Sequence, residues 1–215
     1  MTQKTILRIA AVISGISGII ILTGVIYPIV SYNSIYEKNF SQLISPVGEA
    51  STIDSKASTW FVGGASSSDF VASKVQYFTI SIPKLRIDDA TVAIGGEDLN
   101  KSLIQYPGTA LPGQHGNSVI FGHSVLPVFY NPKNYISIFS LLPTLKIGDE
   151  IDVSYDGVSY IYKVENMFEV LPTDIQVLEQ DSSDSFLTLV TCVPPGDPGN
   201  PKRLIVRARV VPPEQ

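Results

Sequence analysis

In Phe186-Leu187-Thr188-Leu189-Val190-Thr191-Cys192, then Val193-Pro194-Pro195-Gly196-Asp197-Pro198-Gly199-Asn200-Pro201, then Lys202-Arg203-Leu204-Ile205-Val206-Arg207-Ala208-Arg209-Val210, two apolar runs flank a loop. Four of the nine loop residues are proline, so the loop cannot continue a hydrogen-bonded ladder. In the second run Leu204, Val206, Ala208 and Val210 alternate with Arg203, Ile205, Arg207 and Arg209. That period of two is a strand with one face on a core and the arginines on the other. Arg203 follows Cys192 by 11 positions. Two neighbouring antiparallel strands would therefore bring thiol and guanidinium to the same end of a sheet.

Outward from this pair, short strands are expected at Tyr77 to Ile82, Thr91 to Ile94, Ser118 to Phe121, Ile151 to Tyr155, Tyr160 to Val164, Phe186 to Thr191 and Leu204 to Val211. Gly, Pro, Asn and Asp separate them, and Asp156-Gly157 is a hairpin-turn signal. Helical periodicity is confined to Glu97 to Ile104 and Ser137 to Leu142. The pattern is that of an all-β domain, closed or nearly so, over residues 76–215.

The N-terminus differs. Residues 9–30 hold no charge and run through Ile, Val, Leu, Ala, Gly and Ser. Twenty-two helical residues at about 1.5 Å each cross a hydrocarbon core of about 30 Å. A cleaved signal peptide would be shorter and end at a small-x-small site, which Val30-Ser31 does not supply, so an uncleaved anchor is expected. Lys4 and Arg8 precede the span and leave residues 1–8 in the cytoplasm by the positive-inside rule, with the remainder outside. Residues 31–75 are rich in Ser, Ala and Gly and read as a stalk, most flexible at Gly63-Gly64-Ala65-Ser66-Ser67-Ser68. Trp60-Phe61-Val62 and Phe70-Val71 interrupt it as apolar pieces able to pack on the domain.

The chain carries a formal charge of −5; past Arg8 it holds 13 basic against 20 acidic side chains. Nucleic acid is not expected as a partner, because binding it needs a basic footprint. One cysteine and two histidines are too few for an ordinary structural zinc site, and Glu97, Asp98 and Asp181 read as scattered surface acids. Neither a metal nor another cofactor is expected.

Cys192 ends an apolar strand beside an irregular loop, a position that suits a reactive group on a rigid scaffold. Free cysteine is also common as an inert core residue. His123 again stands at a strand end, after Gly122, whereas His115 lies in a turn-rich stretch. General-base work needs held geometry, which favours His123; its alternative is a hydrogen-bonded core histidine. Arg203 offers a rigid, permanently charged donor fork for an oxyanion or a substrate carbonyl. Arg207 and Arg209 read as a solvated basic edge.

Ile82-Pro83-Lys84, Tyr106-Pro107-Gly108-Thr109-Ala110-Leu111-Pro112-Gly113, Gly116-Asn117-Ser118-Val119-Ile120-Phe121-Gly122-His123, Thr188-Leu189-Val190-Thr191-Cys192 and Arg203-Leu204-Ile205-Val206, in this order behind an N-terminal anchor, resemble the sortases, membrane-anchored cysteine transpeptidases of bacterial surfaces. The resemblance covers residues 77 to about 211. It implies an eight-stranded β-barrel with short helices, with His123, Cys192 and Arg203 as the catalytic set and Thr191 shaping the substrate groove. Its implied substrates are secreted proteins ending in a Leu-Pro-x-Thr-Gly-like sorting signal, with an amine from a cell-wall precursor or a pilin lysine as acceptor, at the cell membrane. Cys192-Val193-Pro194-Pro195-Gly196 and Gly122-His123-Ser124-Val125-Leu126-Pro127 lean toward the pilus-assembling branch. That branch usually carries a lid with Asp-Pro before an aromatic residue and a second, C-terminal anchor; residues 31–76 hold no Asp-Pro and no second anchor is read in the sequence, so a cell-wall anchoring or otherwise unclassified sortase fits equally. Two other readings remain: a tethered β-domain that binds peptide or wall polymer without catalysis, and a hydrolytic cysteine protease. The second is disfavoured because papain-like enzymes place Cys before His.

Overall fold

The computed structural model describes residues 3–35, 41–43, 56–64, 76–197 and 202–212. Helix α1 spans Gln3–Ile35. Nine strands follow: β1 Ser41–Leu43, β2 Tyr77–Ile82, β3 Ile87–Ile94, β4 Leu103–Gln105, β5 Gly116–Phe121, β6 Glu150–Tyr155, β7 Val158–Val170, β8 Ser185–Val193 and β9 Lys202–Val210. They lie in the order β1-β7-β6-β2-β3-β4-β5-β8-β9, and β9 pairs back on β7. The eight strands β2 to β9 thus close a barrel, the architecture expected from the sequence, and β1 is an added parallel strand on β7.

Alternation builds two apolar layers. Ile80, Val92, Leu103, Ile120, Leu187, Leu189, Leu204 and Val206 fill the barrel, while Ile104, Val119, Phe121, Val190 and Ile205, their odd neighbours, form a second cluster outside the wall. Asp156 and Gly157 adopt positive φ at the β6–β7 hairpin, as the turn signal implied. Arg207 and Arg209 are not merely solvated: both guanidinium groups lie over the Phe186 ring and pair with Glu165.

Both expected helices fail. Glu97 to Ile104 ends in β4, whose three residues are all buried and bridge β3 in parallel to β5 in antiparallel, closing a gap in the wall. A strand so short, covered on both faces, shows no alternation to read. Ser137 to Leu142 is a series of turns running into a 3-10 helix, Leu142–Thr144, because Ser137 and Asn131 bond each other and Pro143 removes a donor.

Helix α1 contains an apolar stretch, Leu7–Tyr32, long enough to cross a membrane, a little longer than the span 9–30 read from the sequence. Of the expected stalk, residues 65–68 and Phe70-Val71 lie outside the described residues. The described pieces are docked: β1 on β7, and residues 56–64 as a strap whose path is given below.

Candidate active site

Strand β5 runs parallel to β8 with Phe121 opposite Val190, so two residues on His123 stands abreast of Cys192. Three bonds hold that extension: Gly122 N–H to the Val190 carbonyl at 3.1 Å, the Thr191 hydroxyl to the Gly122 carbonyl at 2.8 Å, and the Ser124 hydroxyl to the Cys192 carbonyl at 2.6 Å. Strand β9 runs antiparallel to β8 with Arg203 directly opposite Cys192. Parity puts all three side chains on the outer face, the face of Phe121, Val190 and Ile205. Gly122, between them and the barrel interior, admits no side chain, since a Cβ there would collide with the rings and methyls of Phe139 and Leu103.

Arg203 Nη1 donates toward Cys192 Sγ at 3.5 Å, and both His123 and Arg203 are buried. Burial pushes the Cys192 thiol up from its ordinary value, and the Arg203 guanidinium pulls it partly back. Thr191 is fully buried, its hydroxyl committed to the Gly122 carbonyl, so it ties the histidine strand to the cysteine strand. His115 sits apart, its Nδ1 against the Ser182 carbonyl at 3.1 Å. Among the described residues no group of three or more His, Cys, Asp and Glu converges to hold a metal.

The strap covers these groups. Residues Ala57–Thr59 form a 3-10 turn fixed by Ala57 N–H to the Glu97 carbonyl at 3.2 Å and by the Ser58 hydroxyl to the Glu97 carboxylate; Val62 N–H binds the Pro172 carbonyl at 3.0 Å at the far side. Trp60 stacks on Phe121 with centroids 5.2 Å apart and 13° between planes, and lies 5.7 Å from the His123 ring. The Arg203 guanidinium sits 5.3 Å over the Trp60 ring, and its Nη2 donates to the Trp60 carbonyl at 3.3 Å. One indole thus touches two of the three candidate groups. The sequence flagged Trp60 only as an apolar interruption in a polar stretch.

Residues 80–211 match the family model of the sortase domain. Sortase A of Bacillus anthracis is 30% identical over 135 residues, 61% of this chain, and the chain spans 58% of that relative's length. Among solved structures, sortase A from Corynebacterium diphtheriae is 31% identical with a TM-score of 0.55, covering 66% of this chain and 64% of its own. Sortase C-1 from Actinomyces oris is 29% identical with a TM-score of 0.55, over 65% of this chain and 75% of its own. A Clostridium perfringens sortase D5 transpeptidase is 26% identical with a TM-score of 0.53, over 64% and 79%.

Proposed function

The chain belongs to the sortase family, and on that premise we propose that it is a membrane-anchored cysteine transpeptidase using Cys192, His123 and Arg203. The carrying observation is the register: Cys192 and Arg203 are opposite partners, with His123 abreast on the adjoining strand end.

His123 accepts the thiol proton, and the Cys192 sulfur forms a bond to the carbonyl carbon of Thr in a Leu-Pro-x-Thr-Gly-like signal. The carbonyl π pair moves to oxygen, where the Arg203 fork donates to the oxyanion. Collapse breaks the C–N bond, His123 returns the proton to the departing glycine amine, and a thioester remains. An amine from a cell-wall precursor or a pilin lysine then attacks the thioester, forming a new amide and restoring the thiol. Thr191 shapes the groove through its tie to Gly122. The strap must shift before a peptide can use all three groups, because the Trp60 ring occupies the space over His123 and Arg203. Residues 9–30 anchor the chain, residues 1–8 stay in the cytoplasm with Lys4 and Arg8, and the catalytic domain 76–215 faces outward.

The test mixes the protein with a Leu-Pro-x-Thr-Gly peptide panel and excess oligoglycine, with mass spectrometry of the enzyme and products. A thioester on Cys192 with ligated product is expected, and both vanish in Cys192→Ala. Peptide binding with no adduct in the parent, and binding unchanged in Cys192→Ala, would instead support the non-catalytic binding domain.

A further inference from the structure

Helix α1 ends on the barrel. Tyr32 is 4% exposed, belongs to the barrel's own core cluster, and donates its hydroxyl to Glu169 Oε1 at 2.7 Å. Glu169, 1% exposed near the end of β7, takes Lys202 Nζ on Oε2 at 3.2 Å. A carboxylate this buried is costly unless paired and hydrogen-bonded on both oxygens, and these two contacts tie the helix end to the barrel. Beside it a cavity of about 250 Å³ separates the helix residues Tyr27 and Pro28 from Pro127, Leu141 and Pro195 of the barrel. Pro195 lies three positions past Cys192 and Pro127 four past His123.

Pro127 opens a 3-10 turn, Pro127–Phe129, on which Val128 and Phe129 are 69% and 65% exposed. An adjacent Val-Phe pair held this far into water calls for a partner. The helix identifies it. The 26 residues Leu7–Tyr32, with Arg8 near their start, measure about 39 Å along the axis, more than a hydrocarbon core of about 30 Å, which leaves room for the turn from Tyr27 to Tyr32 at the interface, where tyrosines concentrate. The barrel holds that turn at Tyr32, and Pro127 faces it across the cavity, which brings the Pro127–Phe129 turn to a similar depth.

We propose that Val128 and Phe129 insert into the phospholipid interface beside the helix, seating the barrel so that its His123–Cys192–Arg203 end opens at headgroup level. This rests on the reading of α1 as a membrane span.

The test uses the full chain in phosphatidylcholine and phosphatidylglycerol vesicles, with its single cysteine removed as Cys192→Ala and a nitroxide placed on Ile16→Cys, Phe129→Cys or Val158→Cys in turn. Val158 opens β7 at the end opposite Glu169 and is itself half exposed, so it serves as the aqueous reference. Collisional relaxation by oxygen and by a nickel chelate reports depth. The Ile16 and Phe129 labels are expected to favour oxygen over nickel several-fold more than the Val158 label does. A Phe129 label as open to nickel as Val158, with Ile16 protected, overturns the seating while leaving the span intact. An Ile16 label open to nickel overturns the span and the seating together.

Discussion

Replacing Trp60 by Ala should unlock the thiol. Trp60 is 2% exposed, stacks on Phe121 and carries the Arg203 guanidinium. Truncating a buried Trp costs about 3–5 kcal/mol, of which the guanidinium contact contributes about 0.5–2 kcal/mol. The strap's remaining ties include Phe61, the Ser58 hydroxyl bond to Glu97 and a few backbone bonds, and most of this loss falls on strap opening rather than on the barrel. At about 1.4 kcal/mol per decade, opening becomes about 10²- to 10³-fold more frequent, up to the ceiling at which the strap is open all the time. More water then reaches the partly exposed Cys192, the desolvation that raises its titration is eased while Arg203 stays, and the thiolate fraction at neutral pH rises as well. Both effects act in one direction. The assay is the iodoacetamide alkylation rate of Cys192 by mass spectrometry, with thermal unfolding followed by circular dichroism in parallel. An increase of at least about 10²-fold, with Trp60→Phe in between, is expected. A rate within about twofold of the parent, in a variant that still unfolds cooperatively, would refute the covering role given to the indole.

Arg203→Lys keeps the charge but loses the fork that serves both the sulfur and the oxyanion, so kcat for ligation should fall by about 10²- to 10³-fold; unchanged turnover would remove Arg203 from the chemistry. Thr191→Val leaves the buried Gly122 carbonyl without its side-chain donor and should cost about 1–3 kcal/mol in denaturant unfolding, with turnover falling further as His123 drifts; equal stability would show the tie to be idle. Because the thiol titrates higher in the folded chain than unfolded, the unfolded state ionises first as pH rises. Stability from this group is therefore complete below the ordinary thiol value of about 8.5 and declines above it, and Cys192→Ala should flatten that alkaline decline; parallel pH curves for the two proteins would contradict the burial.

What the sequence disclosed depended on how local its cause was. The arginine face of β9 and the Asp156-Gly157 hairpin are written in alternation and turn chemistry within a few residues, and both stand where they were expected. The pairing of β5 with β8 joins Phe121 to Val190, 69 positions apart, and no periodicity encodes a partner. For that reason the residue pattern alone favoured His123 only as a strand end, and its grouping with Cys192 came from the family resemblance. β4 was misread as helix because its three residues are buried all round and follow a polar turn, leaving spacing with no face to assign. Trp60 was visible as an oddity, but only Phe121, His123 and Arg203 together give its ring a seat, and they come from the ends of two strands, β5 and β9. The Tyr32–Glu169 bond spans 137 positions and left no local trace.

The core and the chemistry are enforced by one device. His123, Cys192 and Arg203 share the outer face because Ile120, Leu189, Leu204 and Val206 must share the inner one. A slip of one residue between β8 and β9 would put Leu204 opposite Cys192, carry Arg203 into the barrel and expose the leucine, so burial of the core penalises every wrong alignment of thiol and guanidinium. The proline-rich loop between the two strands therefore need not define their geometry. The same ladder ties the site to the helix: Val170 pairs with Arg203 on β9, and the preceding residue, Glu169, pairs with Leu204 and receives Tyr32. The helix end is thus linked to the strand that carries the arginine through one residue step of a continuous ladder.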